Sequence, residues 1–330
     1  MLAIQTSTQQ SELNALRELS IQLGQDPLLV QASTGNTSVK IGGSLWIKAS
    51  GKWFIHADAD DFLISVDLTR ARQCLSRNMA IPETEASPSG RCASVETAMH
   101  AVLPHKVVVH VHSINAIAWA VRQDGPAILK RCLQGLAWTW IPYTPSGTSL
   151  ARAIERAVSS RPDANVFILA NHGLVVCEDS CRSAEQLLEE VEARLAISPR
   201  PAPQPGAAVL ARAASEPDWC LPQDAVIHAL AADPLARRVV SGGVLYPCQA
   251  MFLPDLVPCL SRECGDRAVV LIDREGVLCR KYMTAAQQQV LRGLAQVVQR
   301  IDGSAPVRYL TASEIWGVLN GPAYQGALVQ

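Results

Sequence analysis

The chain is 330 residues long and sets 29 lysines and arginines against 30 aspartates and glutamates, for a formal net charge of −1. That length accommodates two modest domains or one large core with an appendage, and the near-neutral charge excludes a basic field for nucleic acid or an acidic membrane surface. No apolar run reaches the ~20 residues that span a bilayer, and the ten cysteines fall without a CxxC pair or a leader-like N-terminus, which predicts a cytoplasmic protein with free thiols.

From Ser11 to Leu23, the residues Leu13, Leu16, Leu19 and Leu23 make a helical stripe with Ser11 as its cap. Gly35 to Ile41, the Gly42-Gly43 pair and Ser44 to Ser50 predict a strand, a tight turn and a second strand. Trp53 to Ile55 continues the strand pattern, whereas Val66 to Leu75 fits either helix or loop. Pro82 to Gly90 reads as a loop. Ser94 is placed to cap a helix striped by Val95, Met99 and Val102 or Leu103, with Glu96 in its first turn and Pro104 as its stop.

Lys106 to His112 follows as the central strand. Side chains alternate across a strand, so Val108, His110 and His112 share one face and Val107, Val109 and Val111 take the other. Residues two apart stand roughly 7 Å from each other, close enough for both rings to lean onto one metal ion at about 2.0–2.1 Å. A buried strand with two histidines on a polar face satisfies the same pattern.

Ile114 to Val121 predicts a helix, Trp138 to Tyr143 a short strand, and Leu150, Ile154 and Val158 the inward face of another helix. Val166 to Ala170 is a continuous apolar run of the kind buried on both faces, and it ends in Asn171-His172-Gly173. A strand at Leu174 to Cys177 leads to a helix striped by Ala184, Leu187, Leu188, Val191 and Leu195. The alternation is that of an α/β domain over residues 1–197. The proline-rich stretch Ser198 to Gly206 opens a linker at 198–216, and residues 217–330 form a C-terminal α/β extension. There, Val239-Val240, Gly243 to Tyr246, Ala250 to Leu253 and Ala268 to Ile272 predict short strands, and Asp273 to Gly276 turns into Val277 to Cys279. A capping pattern at Thr284 and Gln287 starts a long helix, and a last helix begins near Ser313.

A catalytic zinc commonly takes three protein ligands and keeps one open position. His110 and His112 supply two, and His172, at a strand end, is the best placed third. His56, His100, His105 and His228 read as surface or structural residues. Glu96 is the acid/base candidate beside such a Lewis acid. It also fits two structural roles, a helix-terminus carboxylate or a partner of His100 one turn on.

The chain resembles the class II aldolase/adducin family of sugar-phosphate aldolases over about residues 10–197. The motifs that carry the resemblance are Gly35-Asn36-Thr37-Ser38, Lys48-Ala49-Ser50-Gly51, Ser94-Val95-Glu96, His110-Val111-His112, Pro142-Tyr143 and Asn171-His172-Gly173. Residues 240–320 resemble the extension in the aldolase portion of bifunctional aldolase/short-chain dehydrogenase proteins, although no GxGxxG follows any strand. The resemblance implies a three-layer αβα domain with a central β-sheet, and a smaller C-terminal α/β domain. It implies one divalent cation, zinc or alternatively manganese, on His110, His112 and His172, with Glu96 moving the proton in retro-aldol cleavage of a ketose or ketose phosphate through a metal-stabilised enediolate. It assigns substrate or phosphate binding to Asn36, Thr37, Ser50, Gly51 and Ser94, and a homotetramer as the assembly.

Two departures stand out. Val95 occupies a position where the family often has a second serine, and the segment Ile128 to Cys132 lacks the tyrosine that a neighbouring aldolase subunit contributes. A decarboxylase, dehydratase or 4-epimerase would use the same ligands, and an adducin-like interaction module would keep the fold without a reaction. An amidohydrolase barrel also uses His-x-His, but it needs a repeating β/α pattern that the chain lacks.

Overall fold

The computed structural model describes residues 2–84, 91–256 and 267–321. It opens on α1 (Leu2–Gln25), whose Leu13, Leu16, Leu19 and Leu23 are buried as the stripe requires. Ser11 lies inside this helix and does not cap it. No proline or glycine interrupts residues 2–10, so nothing stops the helix on the N-terminal side of the stripe.

The strands β1 (Asn36–Ile41) and β2 (Ser44–Lys48) form the expected hairpin, with Gly42 and Gly43 at φ 56° and 87° in the left-handed region that a two-residue turn needs. Trp53 to Ile55 does not extend the sheet, because Phe54–His56 is a 3-10 turn that buries Phe54. The ambiguous stretch after it resolves into β3 (Leu63–Asp67) and α2 (Leu68–Ser76), where Asp67 ends the strand and caps the helix by accepting from the Arg70 amide. The predicted loop at 82–90 starts with a 3-10 turn at Pro82–Thr84, and residues 85–90 lie outside the described residues.

The rest of the N-terminal half runs α3 (Thr97–Val102), β4 (Val107–Val111), α4 (Ile114–Ala120), α5 (Gly125–Cys132), β5 (Trp138–Ile141), α6 (Thr148–Ser160), β6 (Val166–Leu169), β7 (Gly173–Glu178) and α7 (Cys181–Leu195). The seven strands make one sheet in the order β3-β2-β1-β4-β7-β6-β5, antiparallel except for the parallel pair β5 and β6. β4 is central and buried on both faces. Val107, Val109 and Val111 pack in one core with the inward residues of α1, α4, α5 and α7, whereas Val108 packs with α2, α3 and α6. The domain is thus three-layered, αβα, and the face of β4 that carries Val108 is the one toward which His110 projects.

Beyond Leu195, only the first part of the expected linker is irregular. The alanine-rich segment after Gly206 folds as α8 (Ala207–Ser215), as its high helix propensity favours. Short helices α9 (Ala229–Ala232), α10 (Pro234–Ser241) and α11 (Pro247–Phe252) follow. Two predicted strands, Val239-Val240 and Ala250 to Leu253, are therefore corrected, since the first lies in α10 and the second in α11 and its C-cap. Asp233 with Pro234, and Tyr246 with Pro247, open those helices, and apolar runs this short do not separate a strand from a buried helical turn. Gly243 to Tyr246 is likewise not a strand. The strands β8 (Trp219–Cys220), β9 (Val269–Ile272) and β10 (Gly276–Arg280) form a small antiparallel sheet in the order β8-β10-β9. The capping box of Thr284 and Gln287 starts α12 (Ala285–Val298), and α13 (Ala312–Leu319) is the last helix.

The C-terminal half shares a core with the first. Ile114, Ile117 and Ala118 of α4 pack in one cluster with Leu245, Cys248, Val290, Leu294 and Val298. Among the described residues no helix is long and apolar enough to cross a membrane, and the eight described cysteines are free thiols.

Candidate metal centre and active site

His110 is the fourth residue of β4 and His112 follows the strand's last residue, with Ser113 then capping α4 by accepting from the Ala116 amide at 3.0 Å. The ladder sets Val111 opposite Leu174 of β7 and His110 opposite Val175, so the β6–β7 turn carrying His172 stands beside the end of β4. Gly173 makes this approach available. A Cβ there would meet the Val111 carbonyl oxygen at 2.6 Å, His110 Cε1 at 3.3 Å and His112 Cδ2 at 3.4 Å. Asn171 turns the chain at φ 51°, in the left-handed region that asparagine tolerates better than most residues.

The three rings are buried, with centroids 5.0, 5.0 and 5.1 Å apart, and their potential ligand nitrogens all lie within 4.8 Å of one another. The Nε2 atoms of His110 and His112 are 3.2 Å apart. Two nitrogens bound tetrahedrally at zinc distances would stand about 3.3 Å from each other, so this pair already has the spacing of one coordination shell. His110 Nδ1 donates to the Leu174 carbonyl at 3.0 Å, which leaves its Nε2 without a proton and free to ligate. Burial lowers His172 to about 4 and His112 well below its ordinary value, so both rings are neutral near pH 7, as ligands must be. The donor set therefore fits a divalent cation.

Glu96 is the N-cap residue of α3 and its side chain does not cap the helix; Ser94 instead accepts from the Glu96 amide at 3.2 Å. The helix thus begins one residue beyond Glu96, later than the sequence suggested, and the carboxylate turns away into the site. Its oxygens lie 3.4 Å from His110 Nε2 and 3.4 Å from His172 Nε2. Asn36 Nδ2 donates to Glu96 Oε2 at 2.8 Å and Ser146 Oγ donates to Oε1 at 3.1 Å. Burial pulls this carboxyl upward, but the positive charge that the facing His110 and His172 rings take on when protonated in acid, with the Asn36 amide, outweighs it and holds the group well below the usual carboxylate range.

Behind Glu96 runs a polar chain. Asn36 Oδ1 accepts from His100 Nε2, and His100 Nδ1 accepts from the Ser38 hydroxyl at 2.7 Å. Each donor and acceptor in the chain is matched, which fixes the Asn36 amide with its nitrogen toward Glu96. His100, pushed down to about 3 chiefly by burial, is a neutral relay in this framework. Its partners are Asn36 and Ser38 on β1, so the helix-face pairing of Glu96 and His100 is not what places it.

The other residues expected at the site separate. Asn36, Ser50, Gly51 and Ser94 line one cavity of about 160 Å³ with Glu96 and His112. Asn36 spends its amide on Ser94, Glu96 and His100, so it positions Glu96 directly. Thr37 points to the opposite face, where its hydroxyl pairs with Ser20 of α1 at 2.7 Å. The alternation of β1 that turns Asn36 inward turns Thr37 outward. Ser50 lines the cavity, and its backbone is held by its amide donating to the Cys92 carbonyl at 2.9 Å.

Four residues of the cavity were not picked out by sequence reasoning, or only loosely placed. Lys48 is buried and donates to the Ser33 and Lys52 carbonyls at 3.0 and 2.7 Å, tying together the two loops that border the cavity, while burial lowers its amine to about 7. Ser146 lies in the Thr144-Pro145-Ser146-Gly147 turn, a turn signal that says nothing of its contact with Glu96. Tyr143 lines the cavity with a buried hydroxyl that has no hydrogen-bond partner among the described residues, and burial pushes it up to about 12. Cys248 reaches the cavity from α11.

A three-layer αβα sheet with three converging histidines and a buried carboxylate agrees with the match of this sequence to known families. The family model for the Class II Aldolase and Adducin N-terminal domain covers residues 15–198, and the chain belongs to that family. A curated relative, the uncharacterized oxidoreductase YuxG of Bacillus subtilis (strain 168), is 26% identical over 191 residues, which is 52% of this chain and 27% of that protein. The match thus spans about a quarter of the relative's length. Among solved structures, the N-terminal class II aldolase domain of a conserved Thermoplasma acidophilum protein is 23% identical, with TM-score 0.49, covering 56% of this chain and 92% of that one. L-fuculose-1-phosphate aldolase from Thermus thermophilus is 20% identical, with TM-score 0.39, covering 56% of this chain and 91% of that one.

Proposed function

We propose that the protein is a metal-dependent lyase that cleaves a ketose or ketose phosphate by a retro-aldol reaction. The observation that carries this reading is the buried Glu96 carboxyl, held by Asn36 and Ser146 and 3.4 Å from the nitrogens of two of three converging histidines. His110, His112 and His172 would hold the cation, and the all-nitrogen donor set suits zinc, with manganese as the alternative. When bound, the cation supplies Lewis-acid stabilisation of negative charge developing on substrate oxygen.

In the cleavage, the hydroxyl beyond the breaking bond loses its proton and that carbon becomes an aldehyde. The electrons of the broken bond pass to the carbon next to the ketone, which then takes up a proton. Glu96 is the base that accepts the first proton and returns it to that carbon, and Asn36 and Ser146 keep its two oxygens aimed during the exchange. Ser50, Gly51 and Ser94, which line the same cavity, are the groups assigned to the phosphate or polar end of the substrate. A cytoplasmic homotetramer acting on a small sugar completes the reading, on the strength of family resemblance.

The test is a panel of ketoses, with and without phosphate, incubated with zinc-loaded protein and scored for aldehyde release beside Glu96→Gln and His112→Ala. Cleavage by the unaltered protein should fall by about 10²–10⁴-fold in Glu96→Gln, the usual worth of a positioned proton-transfer group. Cleavage that survives both substitutions, or a product that is an epimer or carbon dioxide with no aldehyde, overturns the proposal.

A further inference from the structure

We infer that the C-terminal segment is a structural part of the metal centre, with Cys248 acting as the positioning residue for His112 and Asn171 as the tie that fixes the approach to His172. This rests on the reading that His110, His112 and His172 hold a divalent cation.

The two histidines of β4 are oriented differently. His110 is fixed from within its own sheet, through Nδ1 and the Leu174 carbonyl at 3.0 Å. His112 lies past the end of the strand, with Nε2 toward His110, so its Nδ1 points out of the cluster. What it meets there is Cys248 Sγ at 3.2 Å, the second residue of α11 and 136 positions further along the chain. With Nε2 engaged as a ligand, Nδ1 carries the ring proton and donates it to the sulfur. A histidine ligand whose outer nitrogen has a fixed partner is held in one tautomer and one ring orientation.

A second, independent set of contacts reaches the third histidine. Asn171, the residue before His172, is at φ 51° and spends its side chain wholly on the C-terminal segment. Its Nδ2 donates to the Leu245 and Arg308 carbonyls at 2.8 and 2.9 Å, and its Oδ1 accepts from Arg308 Nη1 at 2.9 Å. Leu245 and Cys248 belong to one short turn, held by the Leu245 amide donating to Gln249 Oε1 at 2.8 Å. The same turn therefore grips both His112 and the residue beside His172. The N-terminal domain supplies all the ligands, and the C-terminal segment supplies the rigidity of two of them.

The measurement is zinc affinity of the full chain by competition with a chromophoric chelator, together with the visible spectrum of the cobalt-substituted protein. Cys248→Val removes the acceptor at nearly constant volume, Cys248→Ser keeps an acceptor, and Asn171→Gly keeps the left-handed turn while deleting its three hydrogen bonds. Cys248→Val should bind zinc about 10–100-fold more weakly with an altered cobalt spectrum, while Cys248→Ser stays within about threefold of the unaltered protein. Asn171→Gly should also weaken zinc, and circular dichroism keeps the fold under control in all three. If Cys248→Val and Asn171→Gly bind zinc as tightly as the unaltered protein with an unchanged cobalt spectrum, the inference is wrong while the three-histidine site stands. If the unaltered chain binds no zinc or cobalt, the site itself fails and this inference with it.

Discussion

In Gly173→Ala the added Cβ would lie 2.6 Å from the Val111 carbonyl oxygen, with His110 Cε1 and His112 Cδ2 at 3.3 and 3.4 Å behind it. Close carbon-to-oxygen contacts in sheets settle at about 3.3–3.6 Å, so β7 would have to retreat from β4 by roughly 0.7 Å at this point. Backbone on both sides resists, since Val111 is paired with Leu174 in the ladder and β4 is buried on both faces. Overpacking of this kind costs about 1–3 kcal/mol, which for a domain of this size lowers the melting temperature by a few degrees. The effect on the centre should be larger in proportion, because a ligand set tolerates only about 0.5 Å of displacement. His172, the next residue back, would move with the strand. The expected result is a melting temperature a few degrees lower and a zinc affinity at least about tenfold weaker, read by differential scanning fluorimetry and chelator competition. Unchanged affinity would mean that the rings are not packed against Gly173 as described.

Other perturbations separate catalytic from structural contributions. Tyr143→Phe removes a hydroxyl that has no hydrogen-bond partner among the described residues, so thermal stability should hold while kcat/KM falls about tenfold, the worth of one hydrogen bond to substrate; unchanged kinetics would remove Tyr143 from the site. Lys48 predicts a pH signature. Burial, opposed by the Glu96 carboxylate, takes its amine from 10.5 to about 7, so between those values the unfolded chain holds a proton that the folded chain has released. Stability attributable to Lys48 therefore rises with pH across that window, and the unfolding free energy of the unaltered protein from urea titrations should climb relative to Lys48→Met by a slope approaching about 1.4 kcal/mol per pH unit. Parallel profiles would show that the amine keeps its ordinary titration.

What was legible in the sequence follows a simple physical line. Period-3.6 stripes located α1 and α7, alternation placed the histidines of β4 on one face, and unbroken apolar runs located β6 and β7, because strands buried on both faces are apolar throughout. The three histidines were found for the same reason, two by alternation on one strand and one by its place at a strand end. Val239-Val240 and Ala250 to Leu253 carried apolar runs too short to have a period, and the prolines that open α10 and α11 decided the matter. The roles of Asn36, Ser146 and Cys248 depend on contacts across 60, 50 and 136 positions respectively, and no local pattern encodes such a meeting. Thr37 shows the opposite case. Its motif matched, yet one step along a strand turns its side chain to the far face of the sheet.

The most direct test is titration of chelator-treated protein with zinc, followed by isothermal calorimetry and metal analysis, beside alanine replacements of His110, His112 and His172. One tightly held zinc per chain, lost in each of the three variants while their circular dichroism is retained, is the predicted result. A chain that takes up no divalent cation, or one that still holds zinc as tightly in the three alanine variants, would contradict the account.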